Sequence, residues 1–307
     1  MAFTAQDVKT LREMTGVGMM DCKKALTASD GNMDKAVEWL REKGLAAAQK
    51  KSGRIAAEGM AFADVVDGVG VVVEVNAETD FVAKNELFVD FTKTVASVVA
   101  KENPADVETL MSLKYPESEL NIEQMQQDRV LVIGENIKVR RFARYDSGFS
   151  VPYVHMGGRI GVVVNFELSE GLQNNETVIE LGRDIAMQIA AMNPAYRDKS
   201  DVPQATMDKE KEILTNQAKE DPKNANKPEN IIEKMVTGRI GKFYEESCLL
   251  QQEFVKGDKI SVEKHVAEVA KAVGGTIVVR GFTRFEKGEG IEKKQEDFAA
   301  EIASMVK

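Results

Sequence analysis

The chain has 307 residues, 43% hydrophobic and 30% charged, the balance of a soluble globular protein with two domains or three small ones. Forty-one Lys and Arg against 50 Asp and Glu leave a formal net charge of −9. Such a surface repels phosphate backbones and points to a protein partner or a small ligand rather than to general nucleic-acid binding.

In chain order, Thr4 caps a helix expected to run to about Met14, with Val8 and Leu11 on one face. Gly16-Val-Gly18 breaks it, and a second helix is expected over Asp21–Ala28. After the turn at Ser29–Asn32, Met33–Lys43 carries Ala36, Val37 and Leu40 at helical spacing and is expected to stop at Gly44, with 46–53 as a linker or frayed helix. Met19 and Met20, in or just after the glycine turn, have two readings. They are a core plug, the usual work of methionine, or an adaptable contact patch for a partner.

The rest of the chain contains a diverged duplication. Gly70-Val-Val-Val-Glu-Val recurs as Gly161-Val-Val-Val-Asn-Phe, 91 residues on. Asn103-Pro104 recurs as Asn193-Pro194, 90 residues on, and Val139-Arg-Arg-Phe-Ala-Arg-Tyr145 as Val279-Arg-Gly-Phe-Thr-Arg-Phe285, 140 residues on. Each copy begins with a hairpin, Met60–Val66 and Val69–Asn76 about Asp67-Gly68, then Phe149–Met156 and Arg159–Glu167 about Gly157-Gly158. An amphipathic helix follows in each, and a strand closes each at 137–145 and 276–286. The fold class is therefore α+β, two duplicated subdomains with small antiparallel sheets covered by helices.

The step from 90 to 140 places about 50 extra residues in the second copy, between Pro194 and Val279. Met207–Phe254 reads as two long helices about a polar turn at Asp221–Asn230, an inserted antiparallel hairpin with Ile232, Val236, Ile240 and Phe243 facing Ile213 and Leu214. Phe298, Ile302 and Met305 suggest a short amphipathic helix in the tail. The partition is 1–54 for the three-helix N-terminal domain and linker and 55–146 for the first core subdomain. The second core subdomain is 147–286, with the hairpin at about 205–254, and the C-terminal tail is 287–307.

Nothing in the chain advertises catalysis. His155 and His265 lie far apart with no nucleophile motif beside them, and no Gly-x-Ser-x-Gly elbow occurs. The segment Gly238-Arg-Ile-Gly-Lys242 lacks both the first glycine and the Ser/Thr of a phosphate loop. Cys22 and Cys248 offer neither a disulfide framework nor a zinc spacing and suit a reducing cytoplasm. No apolar run approaches the ~18 residues of a membrane span. The expectation is no enzyme, no cofactor, no metal site, no membrane and a cytoplasmic location.

The two copies differ after their matched strand. The first reads Asn76-Ala-Glu-Thr-Asp-Phe-Val-Ala-Lys-Asn85, the second Glu167-Leu-Ser-Glu-Gly-Leu-Gln-Asn-Asn175. Either Thr79 or Asp80 caps the next helix with Phe81 stapling its first turn, or Phe81 is presented as a wedge toward another protein with Asp80 beside it.

Leu11-Arg-Glu-Met-Thr-Gly-Val-Gly-Met-Met-Asp-Cys-Lys-Lys-Ala-Leu26 and Glu74-Val-Asn-Ala-Glu-Thr-Asp-Phe-Val-Ala-Lys84 resemble the two signature segments of the elongation factor Ts family. His155-Met-Gly-Gly-Arg-Ile-Gly-Val162 and the acidic tail Gly288–Lys293 extend the resemblance along the chain. It implies a guanine-nucleotide exchange factor of translation elongation, acting on the GTPase elongation factor Tu. It also implies a ubiquitin-associated-like N-terminal three-helix bundle and a coiled-coil character for the inserted hairpin. By that resemblance Thr79, Asp80, Phe81 and Val82 enter the GTPase and displace its magnesium ion. Arg12, Met19 and Met20 dock on the nucleotide domain, and His155 lies on the face toward the partner. Assembly as a homodimer or as a heterotetramer with the GTPase is left open, and a scaffold that binds a GTPase without releasing its nucleotide is the alternative function.

Overall fold

The computed structural model describes residues 3–224, 227–257 and 259–292, so the expected tail helix at Phe298–Met305 lies outside the described residues. Three helices open the chain: α1 (Ala5–Thr15), α2 (Met19–Ala28) and α3 (Met33–Lys51). A capping box between Thr4 and Asp7 starts α1, and Gly16 ends it with a left-handed φ of 69°. Two expected bounds shift here. The second helix begins at Met19, so Met19 and Met20 form its first turn, and α3 does not stop at Gly44 but runs to Lys51, so that 46–51 is helical rather than a linker.

The first sheet is β1 (Glu58–Val66), β2 (Val69–Ala77) and β3 (Lys138–Tyr145), in that order and wholly antiparallel. Between β2 and β3 run α4 (Glu86–Glu102), the short α5 (Val107–Ser112) and α6 (Ile122–Ile133). The second sheet repeats the plan with β4 (Phe149–His155), β5 (Ile160–Leu168) and β6 (Ile277–Glu286). After β5 come α7 (Glu176–Met192), α8 (Gln204–Glu220), α9 (Glu229–Ser247) and α10 (Val262–Ala272). The β4–β5 connection is not the expected two-residue turn. It takes four residues, Met156–Arg159, because Met156 itself adopts φ 48° ahead of Gly157 and Gly158.

Both middle strands are buried on both faces, and alternation divides their side chains between two layers. Val71, Val73 and Val75 face α4, packing with Phe88, Phe91 and Val95, while Val162, Val164 and Phe166 face α7, packing with Leu181, Ile185 and Ile189. Val72 and Val163 point the other way and meet in a cluster with Ala61, Ala63 and Phe285. The sheets therefore pack back to back with helices outside. Small residues allow the approach: a Cβ on Gly161 would lie 2.9 Å from the Ala61 carbonyl oxygen.

Each closing strand carries a bulge. Glu74 pairs with Arg141 and Val75 with Val139, which leaves Arg140 extra; in the second sheet Arg280 is extra in the same way. The bulge lets Arg140 and Arg141 both reach Glu74, whose side chain is fully buried, at 2.9 and 2.5 Å. The Gly288 N–H donates to the same carboxylate at 2.8 Å, tying the segment after β6 onto the first sheet.

The N-terminal helices ride on α6 through α3, where Gly44 faces Gln127 and Leu131. In the second half α8 packs on α9 through Ala218, Ile232 and Val236, with Leu214 and Ile240 beside them. Ile213, expected in that seam, is exposed, and Ala218 takes its place.

Candidate functional site

The segment that differs between the copies leaves β2 at Ala77 and reaches α4 through a 3-10 turn, Val82–Lys84. Neither Thr79 nor Asp80 caps the helix. Asn85 does, accepting from the Leu87 N–H at 2.9 Å, and Asn175 caps α7 in the same way, 90 residues on. Aligned on these asparagines, Phe81 falls opposite Gly171, which has φ 87° and no side chain.

Phe81 staples nothing, being 80% exposed. The turn is held on either side of it, at Val82 and at Thr79. Val82 is buried in the first core cluster against the α4 side of the sheet. Thr79 is gripped by Glu135, whose two carboxylate oxygens accept from the Thr79 N–H at 2.9 Å and its hydroxyl at 2.7 Å. A reciprocal bond runs the other way, the Asn136 N–H donating to Glu78 at 2.6 Å. Asp80 is exposed beside Phe81. An aromatic ring thus stands in solvent on a braced turn.

The brace has a third limb from the end of α3. The Lys51 ammonium donates to the Gly134 carbonyl at 2.6 Å, Asn136 Nδ2 donates to the Arg54 carbonyl at 2.9 Å, and Arg54 pairs with Glu78 at 3.4 Å. Burial, with the charge of Arg54 beside it, lowers the Lys51 pKa from the ordinary lysine value against the pull of Glu78 and Glu135. Sequence reading missed Glu78, Glu135, Asn136 and Lys51 as parts of this site. No spacing signals a contact between residues 56 apart, and the only local hint is the polar Gly134-Glu-Asn136 run at a helix end.

The other expected residues fall in two places. On the N-terminal helices, Met20 is 64% exposed, Met19 and Met14 are exposed too, and Arg12 lies on the open surface, so the two methionines plug no core. His155 is half-buried at the end of β4, its Nδ1 2.9 Å from the Tyr153 hydroxyl. The turn that follows rests on the first sheet, where the Ala61 N–H donates to the Gly158 carbonyl at 2.8 Å. Ala61 pairs with Glu74, so His155 lies at the end of the sheets from which Thr79–Val82 emerge. The structure brings Thr79–Val82 and His155 to one end and carries Arg12, Met19 and Met20 on a separate helical unit joined there through Lys51 and Arg54.

Among the described residues no group of three or more His, Cys, Asp or Glu could hold a metal ion, and no helix is long and apolar enough to cross a membrane. What the end offers is a protruding aromatic on a rigid base with exposed methionines to one side, the chemistry of a protein-binding surface.

A family model described as elongation factor TS matches residues 78–289, which begins within this turn and ends within the segment that ties the two sheets. Elongation factor Ts of Syntrophotalea carbinolica is 46% identical over 309 residues, covering all of both chains. Those of Clostridium perfringens and Clostridioides difficile are each 48% identical, the first over 98% and the second over 99% of both chains. With a match of that depth along the whole length, this chain belongs to the elongation factor Ts family.

Proposed function

We infer that the protein is the guanine-nucleotide exchange factor of translation elongation, binding elongation factor Tu with GDP, displacing its magnesium ion and releasing GDP so that GTP binds. The Thr79–Val82 turn meets the GTPase, with Phe81 as the wedge and Asp80 beside it, while Thr79 and Val82 anchor the turn from within. Arg12, Met19 and Met20 dock on the nucleotide domain, and His155 faces the partner from the second lobe. The observation that carries the reading is an 80% exposed Phe81 on a turn held at both ends. Membership of the elongation factor Ts family supplies the partner.

The mechanism needs no bond-making group. A translational GTPase holds GDP through backbone amides, a lysine and a magnesium ion bridging the phosphates. A factor that binds the empty GTPase more tightly than the filled one weakens GDP by the same ratio, by linkage. A thousandfold weakening requires about 4 kcal/mol of differential binding, at about 1.4 kcal/mol per tenfold. One aromatic seated in a helix junction is worth about 2 kcal/mol as an interface hot spot, and loss of the metal charge is the second contribution the reading invokes.

The partition into an N-terminal domain at 1–54, core subdomains at 55–146 and 147–286 and a tail at 287–307 belongs to the same reading. So do the ubiquitin-associated-like character of the first helices, the origin of the two lobes in a duplication, and the α8–α9 hairpin as an insertion. Matching sheet orders and matching bulges support the duplication.

The test is release of fluorescent GDP from elongation factor Tu in excess unlabelled GDP. Substoichiometric protein accelerates release, and Phe81→Ala slows the accelerated rate about 30-fold, the equivalent of about 2 kcal/mol. Binding without acceleration would make the protein a scaffold.

A further inference from the structure

We propose that Glu135 is the positioning residue of the exchange turn, its carboxylate fixing the 78–81 backbone so that Phe81 projects outward. The proposal rests on the exchange reading above and adds to it a residue 56 positions from Thr79. Three observations carry it. Glu135 spends both oxygens on one residue, taking the Thr79 N–H at 2.9 Å and its hydroxyl at 2.7 Å, a bidentate, charge-assisted grip. The return bond from the Asn136 N–H to Glu78 at 2.6 Å crosses the same gap, so residues 78 and 79 are held from both directions by 135 and 136. The second sheet makes the counterpart of the Glu78–Asn136 joint without a carboxylate, the Ser169 hydroxyl accepting from the Thr276 N–H and the Ser169 N–H donating to the Thr276 carbonyl, and in register with Glu135 it has Gly275, which has no side chain to grip with.

That third observation separates positioning from folding. In both sheets the residue after the middle strand is joined to the segment entering the closing strand, Glu78 to Asn136 and Ser169 to Thr276, and that one joint suffices where the next turn carries Gly171. Where the turn carries Phe81, Glu78 takes the place of the serine and the Glu135 grip on Thr79 is added one step further out. The ring gains nothing from the fold and is oriented only through its backbone, so rigidity at Thr79 decides where it points. A loose turn would meet the GTPase in many orientations and lose productive encounters, although the rest of the surface still binds.

The experiment compares wild type, Glu135→Gln, Phe81→Ala and the double variant as full chains. It reads GDP release from elongation factor Tu over a range of exchange-factor concentrations, together with amide hydrogen exchange at Thr79. An amide at position 135 keeps an acceptor for the Thr79 N–H and donates to the Thr79 hydroxyl, so what it removes is the charge that strengthens both bonds. Glu135→Gln is expected to lower the saturating release rate about tenfold, leave the half-saturating concentration within twofold and speed Thr79 amide exchange at least tenfold. The double variant is expected to release no more slowly than Phe81→Ala. Thr79→Val, which removes only the hydroxyl donor, is expected to show about a threefold drop in saturating rate and serves if Glu135→Gln does not fold. A Thr79 amide protected as in wild type overturns the proposal, as does a rise in half-saturating concentration alone or an equal loss in the Phe81→Ala background. Unchanged release by Phe81→Ala instead overturns the wedge itself, and faster Thr79 exchange in Glu135→Gln would then leave the grip a structural bond only.

Discussion

Phe81 and Val82 are chain neighbours with opposite fates, and the difference tests the site one residue at a time. Truncating Phe81 removes little that the fold uses, so Phe81→Ala should melt within about 0.5 kcal/mol of wild type while exchange collapses. Val82→Ala deletes buried methyls from the first core and should cost about 2 kcal/mol of stability, read by urea unfolding, with a smaller loss of exchange from a loosened turn. The cysteines obey burial in the same way. Burial pushes the Cys248 thiol up to about 11, with Asp198 and Asp201 adding to it, and Cys22 is raised chiefly by burial. Iodoacetamide at pH 8 should leave both unmodified in the native protein and label both in urea.

Asp198 behaves oppositely. Burial would raise it, but the Ser200 hydroxyl and N–H, the Gln251 amide and the Arg197 charge together bring it down to about 2. A carboxyl depressed on folding stabilises above its unfolded value of 3.8, and that contribution is lost as pH falls from there toward 2. Asp198→Asn should therefore be less stable than wild type at pH 6 by about 1 kcal/mol, screened as this half-buried group is, and equal to it at pH 2.

At the scale of elements, the legible parts of the sequence were those whose signal is local. Asp67-Gly68 forms the tight turn expected of it, while Gly157-Gly158 does not, since Met156 takes a left-handed conformation that nothing in its identity announces. Helix α6 had no single apolar stripe to read, because one side serves the first core through Ile122, Met125 and Val130 and another receives α3 through Leu131 and Val132. The cap at Asn85 was hidden behind the better-known candidates Thr79 and Asp80, one of which is occupied 56 residues away. Gly44 looks like a stop and is instead a close contact inside α3. A Cβ there would find Gln127 O at 3.6 Å and Leu131 at 3.7 Å, ordinary packing, with no positive φ to forbid it. Gly44→Ala should consequently raise stability by about 0.5–1 kcal/mol through helix propensity, checked by the melting temperature.

Across the whole molecule, a charge cluster supplements the apolar contact between the sheets. Glu74 takes Arg140, Arg141 and the Gly288 N–H, and Arg141 also stacks on Phe285 with its guanidinium carbon 4.2 Å from the ring centre. Glu74→Ala would leave two arginines facing each other over a buried void and should cost about 3 kcal/mol, measured by denaturant unfolding. The resemblance of the Glu74–Lys84 stretch to a family signature was readable in the sequence; its second half lies in the turn that carries Phe81, while its first residue is an ion-pair centre that also accepts from the Gly288 N–H of the segment after β6.

The back-to-back sheets have a mechanical consequence. With Gly161 seated under the Ala61 carbonyl and Val72 against Val163, the centre of the joint between the halves is made of short side chains that leave little room to slide or rock. A tool that must deform another body has to be less compliant than its target, or the work is absorbed in its own handle. Here the glycines and alanines reduce that compliance, so on the function proposed for Phe81 the displacement is expected mainly on the partner's side.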